Sequence, residues 1–271
     1  MYGWLVHEIL PKVGLSLPEP TVHVYGVSSS SRVYIYEVIV DGAPARVVGK
    51  FFGSDPDASD ELKRLRLRLE VDNIRRLRGI GLDRGAHRVI RLLGHNEYIN
   101  YVLAEEYGSG LPLERLIKGA VFQGEEAGLY WGLSELAYFL FRLHSRSRDG
   151  SSVDFGREAS YFRETLSRVA GQVSDRMAQE FQRLLERWVG RPFMWSPRSV
   201  IVHGDCSPTN FLLSSDPRLL AVDLERSRRS DPAFDTGRVA GELKHHFMMW
   251  TGDGWRAEPF IGHFYSQYSS H

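Results

Sequence analysis

Cysteine, lysine and long apolar runs are all scarce in this sequence of 271 residues. A single cysteine, Cys206, excludes an internal disulfide and is typical of proteins from a reducing compartment. No run of 18 or more apolar residues exists, and the first residues, MYGWLVHEILPK, lack the charged and apolar regions of a signal peptide. We therefore expect a cytoplasmic protein that does not associate with a membrane.

The chain also lacks an excess of charge of either sign. It has 34 basic and 34 acidic residues, so its formal net charge is +0. No global field therefore favours nucleic acid or an anionic membrane as a partner, and we expect neither. Because arginine supplies nearly all the positive charge, a lysine in a suggestive place carries more information than usual. The lysines are Lys12, Lys50, Lys63, Lys118 and Lys244.

The pattern of apolar residues changes near residue 106. Before it come β-branched and aromatic runs, an Asp41-Gly42 hairpin signal and one strongly helical run, Ser59 to Gly79. After Gly108 and Gly110 the pattern is mostly helical. This order predicts an α+β protein with two lobes. The N-terminal lobe, residues 1–106, is β-rich with one main helix, and the C-terminal lobe, residues 107–271, is mostly helical.

The apolar patterns also predict bounds for the individual elements. A short helix within 1–16 is expected to end near Pro11. Five antiparallel strands are expected in the first lobe: 21–27, 33–40 and 45–52, then a hairpin of 88–93 and 98–104 with its turn at 94–96. Helices of the second lobe are expected at 113–117, 125–144, 157–171, 174–189, 235–250 and 258–268.

Polar residues follow directly on two short apolar runs between Ser199 and Asp235. The first run, VIV, leads into HGDCSPTN, and the second, LLAV, leads into DLE. An apolar run that ends in polar residues presents them at the rim of a buried site. Phosphoryl transfer needs one carboxylate that accepts a hydroxyl proton and oxygen ligands that hold Mg²⁺. The spacing H-x-D-x-x-x-x-N, followed by a second aspartate, suits that chemistry.

These motifs, together with the DPAFD sequence at Asp231 to Asp235, resemble the aminoglycoside phosphotransferase and choline kinase family. Leu143-His144-Ser145 and the last helical run, 257–268, are similar to that family as well. The resemblance implies a bilobal protein-kinase-like fold. It further implies transfer of the γ-phosphate of ATP or GTP, with Mg²⁺, to a hydroxyl group of a small molecule.

The resemblance assigns roles within the motif stretch. Asp205 would be the catalytic base that accepts or orients the acceptor's hydroxyl proton. Asn210 and Asp223 would bind Mg²⁺, and Glu225 would be a further ligand or would hold a water. His203 and Asp235 would hold the catalytic loop in place.

The resemblance also implies a nucleotide site in the first lobe. Lys50 would bind the α- and β-phosphates and Glu70 would pair with it, although Glu61 is a second candidate for that partner. The nucleobase would meet the backbone near Glu105 and Tyr107. Residues 26–32 lack the G-x-G-x-x-G pattern, so phosphate contacts there would come from hydroxyls and amides, in particular those of Ser29 and Ser30.

The acceptor stays open at this point. Residues 148–186 alternate acid and base, which is unlike the strongly acidic surface that a polycationic antibiotic requires. Choline, ethanolamine, an amino acid such as homoserine, and a sugar are compatible acceptors, and Trp250 and Trp255 are candidates for the wall of the acceptor pocket. A catalytically silent nucleotide-binding protein is one alternative. A protein kinase is another, disfavoured because H-R-D, D-F-G and an activation segment are missing. The sequence does not predict an oligomeric state.

Overall fold

Eleven strands and eight α-helices form the part of the chain that the computed structural model describes, residues 1–27, 32–196 and 198–271. The strands are β1 (Val22–Gly26), β2 (Val33–Val40), β3 (Ala43–Phe51), β4 (His87–Val89), β5 (Leu92–Asn96), β6 (Val102–Glu106), β7 (Leu111–Pro112), β8 (Val200–Val202), β9 (Phe211–Leu213), β10 (Leu219–Ala221) and β11 (Arg228–Ser230). The helices are α1 (Tyr2–Trp4), α2 (Asp60–Leu77), α3 (Leu113–Gln123), α4 (Glu126–Ser147), α5 (Phe155–Arg168), α6 (Asp175–Val189), α7 (Ala233–Thr251) and α8 (Glu258–Ser269).

An antiparallel sheet of five strands, in the order β1-β2-β3-β6-β5, forms the first lobe. Asp41 and Gly42 join β2 to β3 with φ angles of 51° and 81°, the left-handed conformation that tight hairpins need. In the register between β3 and β6, Val48 lies opposite Glu105 and Lys50 lies opposite Leu103. Side chains alternate between the two faces of a strand, so Val48, Lys50 and Glu105 share one face.

Helix α2 packs against this sheet because its apolar residues recur at helical spacing. The Ser59 hydroxyl caps the first turn and accepts a hydrogen bond from the Leu62 N–H at 3.2 Å. Leu67, Val71 and Ile74 are buried. Glu70 lies on the same face and is fully buried, so the helix carries a carboxylate into the interior.

The second lobe is built around α4, whose buried face packs on neighbouring helices and on the strand β9. Leu136, Phe139 and Leu143 are fully buried at spacings of three and four residues. The Phe139 ring meets the Phe211 ring edge-on at 6.1 Å. Helix α8 packs along α4. The strands β8 and β11 pair with each other, and the loop that begins after Val202 leaves from the end of β8.

The predicted hairpin of 88–93 and 98–104 is present, but its strands are shifted and residues 88–89 do not belong to it. Residues His87–Val89 form β4, which pairs in parallel with β10 in a second sheet of order β4-β10-β9-β7. The partner of β6 is β5, and the turn between them lies at 97–101 rather than at 94–96. Asn100 and Tyr101 both have φ of 53° there. The division at residue 106 stays a prediction, since β4 pairs with a strand from beyond it.

The remaining elements agree with the predicted types, with shifts at their ends. The first helical segment continues from α1 to Val13 and ends at Gly14, whose φ is 83°. Helix α3 extends to Gln123 rather than to residue 117. Within the described residues, no helix has both the length and the apolar character that a membrane crossing requires. The architecture is α+β, with a β-sheet lobe and a helical lobe.

Candidate active site

A cavity of about 610 Å³ lies between the two lobes. Its size is within the usual range for small-molecule sites. The residues that line it are Val27, Arg32, Val33, Ile35, Val48, Lys50, Ile90, Glu105, Glu106, Tyr107, Gly108, Thr209, Asn210, Leu212, Val222 and Asp223. Five of the site residues expected from the sequence are in this wall: Lys50, Glu105, Tyr107, Asn210 and Asp223. Ser29 and Ser30 fall outside the residues that the structure describes.

Lys50, on β3, lies between two carboxylates that come from different lobes. Its Nζ atom is 3.3 Å from Glu70 Oε2 and also contacts Asp223 Oδ1. The second oxygen of Glu70, Oε1, accepts a hydrogen bond from the Leu224 N–H at 3.0 Å. The partner of Lys50 on α2 is thus Glu70, since Glu61 is exposed in the first turn of that helix.

Burial and the neighbouring charges act in opposite directions on these groups. Burial alone would lower the pKa of Lys50, but Glu70, Asp223 and Glu105 together raise it. Burial would raise the pKa of Asp223, but the charge of Lys50 and its hydrogen bond to Asp223 outweigh the effect of burial. The pKa of Asp223 is therefore lowered. The pKa of Glu70 is raised by burial despite the nearby Lys50. Lys50 is therefore a cation and Asp223 an anion at neutral pH.

Glu105 presents its side chain, and not only its backbone, to the cavity. It is buried on β6, and its Oε1 atom has no hydrogen-bond partner among the described residues. Burial, followed by the negative charge of Glu70, raises the pKa of Glu105 to about 8. Tyr107, in the segment after β6, packs under the Arg46 guanidinium, which is 5.2 Å from the ring centre.

Asp205 and Asn210 lie on the loop that follows β8. The Asp205 Oδ1 atom accepts a hydrogen bond from the Ser207 hydroxyl at 2.8 Å. The Asn210 side-chain amide donates to the Asp205 backbone carbonyl at 3.0 Å. That bond leaves Oδ1 of Asn210 as the oxygen that can ligate a cation, on the wall of the cavity that Asp223 also lines.

Asp235, at the first turn of α7, holds the loop by its backbone. It accepts hydrogen bonds from the His203 N–H at 2.7 Å and from the Gly204 N–H at 3.0 Å. His144 Nε2 lies 3.1 Å from the same carboxylate, and its Nδ1 atom lies 2.8 Å from the Tyr268 hydroxyl. Burial would raise the pKa of Asp235, but the bond to His144 helps to lower it, so it stays a carboxylate.

His203 and Cys206 complete the buried part of the loop. His203 is fully buried, its Nε2 atom lies 3.2 Å from the Val222 carbonyl, and burial lowers the pKa of the ring. This contact links the loop after β8 to the end of β10. Burial also raises the pKa of the Cys206 thiol well above its usual value, which keeps that group protonated and unreactive.

Gly204 is a position where only glycine fits. Its φ is 86°, and a Cβ atom there would lie 2.2 Å from the Arg226 carbonyl oxygen. We therefore expect Gly204→Ala to lower the free energy of unfolding by about 1–3 kcal/mol, from backbone strain and displacement of the loop. Denaturant unfolding measures the change.

A matched control for this substitution is Gly237→Ala in α7. Apart from its chain neighbours and the nearby helix backbone, no atom lies within 4 Å of a Cβ at Gly237, and the backbone there is helical. This variant is expected to be neutral or to gain about 0.5–1 kcal/mol. Equal unfolding free energies for the two variants would contradict the steric argument at Gly204.

Oxygen atoms that suit a hard divalent cation converge beside Lys50. Carboxylate oxygens of Glu70, Asp223 and Glu225 lie within 4.8 Å of one another. Both oxygens of Glu70 are already engaged, by Lys50 and by Leu224. Glu225 Oε2 is buried without a hydrogen-bond partner in the described part of the chain. The residues that fit Mg²⁺ are thus Asp223 and Glu225, with Asn210 on the same cavity wall.

Two arginines that belong to none of the sequence motifs flank Asp205. Arg226 Nη1 is 3.8 Å from Asp205 Oδ2, and Arg238 Nη2 is 3.6 Å from Oδ1. The signal for Arg226 was the run of basic residues after Glu225, sequence ERSRR. Nothing in the local pattern indicated Arg238, because it lies one helical turn inside α7 and reaches the loop only in the fold.

The two tryptophans considered for the acceptor pocket lie at the end of α7 and just after it. Trp255 is 74% exposed, and the Lys244 ammonium lies 4.2 Å above its ring. Trp250 packs against Phe122 at 5.8 Å between ring centres. Neither lines the cavity between the lobes.

The chain is similar to proteins of known family and structure. The model of the phosphotransferase enzyme family matches residues 36–268. A search of the curated proteins finds no match.

Three similar solved structures have nearly the same extent as this chain. A type I macrolide 2'-phosphotransferase is 19% identical with a TM-score of 0.56, covering 99% of this chain and 81% of its own. The ternary complex of streptomycin, ATP and APH(2")-IIa is 16% identical with a TM-score of 0.55. The match covers 97% of this chain and 82% of that enzyme. The GDP and kanamycin complex of an APH(2") enzyme of type IIIa is 17% identical with a TM-score of 0.57, covering 98% and 88%.

The structural likenesses establish the bilobal protein-kinase-like fold, and the family model establishes the family over most of the chain. The chain therefore belongs to the phosphotransferase enzyme family, and it is a small-molecule kinase whose acceptor group is a hydroxyl.

Proposed function

We propose that this protein transfers the γ-phosphoryl group of ATP or GTP to a hydroxyl of a small molecule, with Mg²⁺ as cofactor. The observation that carries the proposal is the meeting of Lys50, Glu70 and Asp223, from both lobes, at one cavity beside Asp205. A cation, a metal-binding carboxylate and a separate carboxylate base are the groups that phosphoryl transfer uses.

The cavity offers a separate environment for each part of a nucleotide. Val48, Ile90 and Leu212 supply apolar walls for a base, and the backbone at 105–108 supplies polar groups beside them. Lys50 is a buried residue of the same wall, and its charge would meet the phosphates. Two of the similar structures contain ATP and GDP, respectively, which supports a nucleotide in this cavity.

Asn210 and Asp223 would hold Mg²⁺, with Glu225 as a further ligand or as the acceptor for a bound water. When bound, the ion would neutralise phosphate charge and hold the phosphates in place.

The transfer step follows from the position of Asp205. The acceptor's hydroxyl oxygen attacks the γ-phosphorus, and the bond from that phosphorus to the β–γ bridging oxygen breaks. The hydroxyl proton passes to the Asp205 carboxylate, and the nucleoside diphosphate leaves. Ser207 fixes one oxygen of Asp205, and Asp235 fixes the loop behind it, so the base is positioned before the acceptor arrives.

Asp223→Ala is expected to abolish metal-dependent nucleotide binding. The substitution removes a cavity-lining ligand and leaves Lys50 with one carboxylate partner fewer. Isothermal titration calorimetry with ATP and GTP, each with and without Mg²⁺, measures the effect. The control is Asp72→Ala, at an exposed position of α2, where binding should equal that of the wild type. Unchanged Mg²⁺-nucleotide affinity in Asp223→Ala would contradict the ligand assignment.

A coupled nucleotide-consumption assay tests turnover itself. The panel contains choline, ethanolamine, homoserine, sugars and aminoglycosides, each followed by identification of a phosphorylated product. Product from any of them supports the proposal. Tight Mg²⁺-nucleotide binding without turnover on any small molecule would instead favour the catalytically silent alternative. The cytoplasmic location stays a prediction from cysteine content.

A further inference from the structure

We propose that the acceptor is an anion: a small alcohol that carries a carboxylate or phosphate group, held in an arginine-lined cleft next to Asp205. This inference rests on the proposed function and names the substrate class of the same site. A second cavity, of about 500 Å³, supports it. It lies between α5, Leu69 of α2 and the segment after Asp223. Gly204, next to Asp205 in the chain, and Arg226, which pairs with Asp205, both line it.

One wall of this cleft is a face of α5. Arg157, Tyr161 and Arg168 all line it, and their spacing of i, i+4 and i+11 places them on one side of the helix. The two arginines thus lie about three turns apart on the same stripe, with an aromatic ring between them. Arg226, from the segment after Asp223, also lines the cavity.

The acidic residues of the cleft do not neutralise these arginines. Glu158 is engaged by Arg228, whose Nη2 atom is 2.9 and 3.2 Å from its two oxygens, and it also accepts from the Ser230 hydroxyl at 2.8 Å. Glu225 is one of the three acidic residues whose carboxylate oxygens converge beside Lys50. Arg157 and Arg168 have no ion pair in the described part of the chain, and the ion pair of Arg226 is with Asp205, outside the cavity wall. All three arginines are exposed and line the cavity.

Arg226 ties the cleft to the reacting groups. Its guanidinium lies 3.8 Å from Asp205 Oδ2, so an anion bound to the other edge of that guanidinium would lie within a few ångströms of the catalytic carboxylate. Guanidinium groups bind carboxylates and phosphates through paired hydrogen bonds, which fixes the ligand's orientation as well as its position. Such an anchor would place a hydroxyl of the same molecule against Asp205. A polycation would meet repulsion from the same three arginines.

Matched acceptors test the charge requirement directly. The panel pairs D-glycerate with glyceramide and glycerol 3-phosphate with glycerol, and adds ethanolamine and kanamycin as cations. We expect kcat/KM at least tenfold higher for an anion than for its neutral partner, and no turnover of the cations. Equal or higher kcat/KM for neutral or cationic acceptors would overturn the proposal.

Substitution of the arginines tests the location. Arg157→Gln and Arg226→Gln should each raise KM for the anionic acceptor about tenfold and leave KM for the nucleotide unchanged. The control is Arg176→Gln, which removes the same charge from an exposed position of α6 that pairs with Glu180, and its KM values should equal those of the wild type. Equal effects of Arg157→Gln and Arg176→Gln would show a general charge effect and would overturn the site.

A binding experiment decides the case in which no acceptor is turned over. Calorimetric titration of 3-phosphoglycerate into protein saturated with Mg²⁺-nucleotide should show affinity about tenfold lower for Arg157→Gln/Arg226→Gln than for the wild type. Binding that persists without any nucleotide consumption would contradict the proposed transfer and support the anion cleft. Equal affinity in wild type and double variant would overturn the cleft, whatever the outcome for transfer.

Discussion

Asp205→Asn is expected to lower kcat by about 10²–10⁴-fold and to leave nucleotide affinity nearly unchanged. The asparagine keeps an oxygen that can accept the Ser207 hydroxyl, which now binds Asp205 Oδ1 at 2.8 Å, so the loop retains its shape. What it loses is the ability to accept a proton from the acceptor. Asp205 is not among the residues that line the cavity between the lobes, so the nucleotide's contacts should survive.

Steady-state kinetics with the best acceptor and calorimetry with Mg²⁺-nucleotide provide the two measurements. Asp72→Asn, an exposed substitution of the same chemical kind on α2, serves as the control and should retain wild-type turnover. Near-wild-type kcat in Asp205→Asn would remove Asp205 from the proton transfer. A parallel loss of nucleotide affinity would indicate that the residue acts through the cavity instead.

Glu105→Gln is expected to raise the free energy of unfolding at alkaline pH and to change it little near pH 5. The pKa of Glu105 is raised to about 8 by burial and by Glu70, from an ordinary value of 4.5. Between these two values the unfolded chain releases a proton that the folded chain keeps. The wild type therefore loses stability as pH rises from about 4.5 to about 8, whereas an uncharged glutamine does not. The expected difference is on the order of 2–4 kcal/mol.

Denaturant unfolding at pH 5, 6.5 and 8 measures this difference for wild type and variant. Glu19→Gln, in the exposed segment before β1, is the control and should follow the wild-type curve at every pH. Parallel stability curves for Glu105→Gln and wild type would show that Glu105 ionises in the folded protein as it does in water. That result would remove burial as the dominant influence on this carboxyl group.

The long helices could be predicted from the sequence because their apolar spacing repeats over several turns. Helix α2, with its Ser59 cap and acidic first turn, is an example. Strand pairing could not be predicted at the same level. The pattern at 87–93 shows that this segment is extended, but it does not show that its partner, Leu219–Ala221, lies some 130 residues later. For that reason residues 88–89 were wrongly predicted to belong to the hairpin with β6.

For the site, residue types and spacing pointed to Lys50, Asp205 and Asp223. The structure places Lys50 and Asp223 in contact on the wall of the cavity between the lobes, and it places Asp205 on the loop whose Asn210 lines that wall. The side chain of Glu105 was not anticipated, because its face depends on the register of β6 against β3. The arginines near Asp205 were missed because their proximity arises from α5, α7 and the segment after Asp223 meeting in three dimensions.

The position of Glu70 also constrains the order in which the molecule can fold. Its two oxygens bind Lys50, 20 residues earlier, and the Leu224 N–H, 154 residues later. On the same helix, the Asn73 side chain donates to the Leu224 carbonyl at 2.7 Å, a contact 151 residues apart in sequence. While the chain is being synthesised, Glu70 and Asn73 therefore lack their Leu224 partner until residue 224 has left the ribosome. Completion of the first lobe depends on synthesis of most of the second.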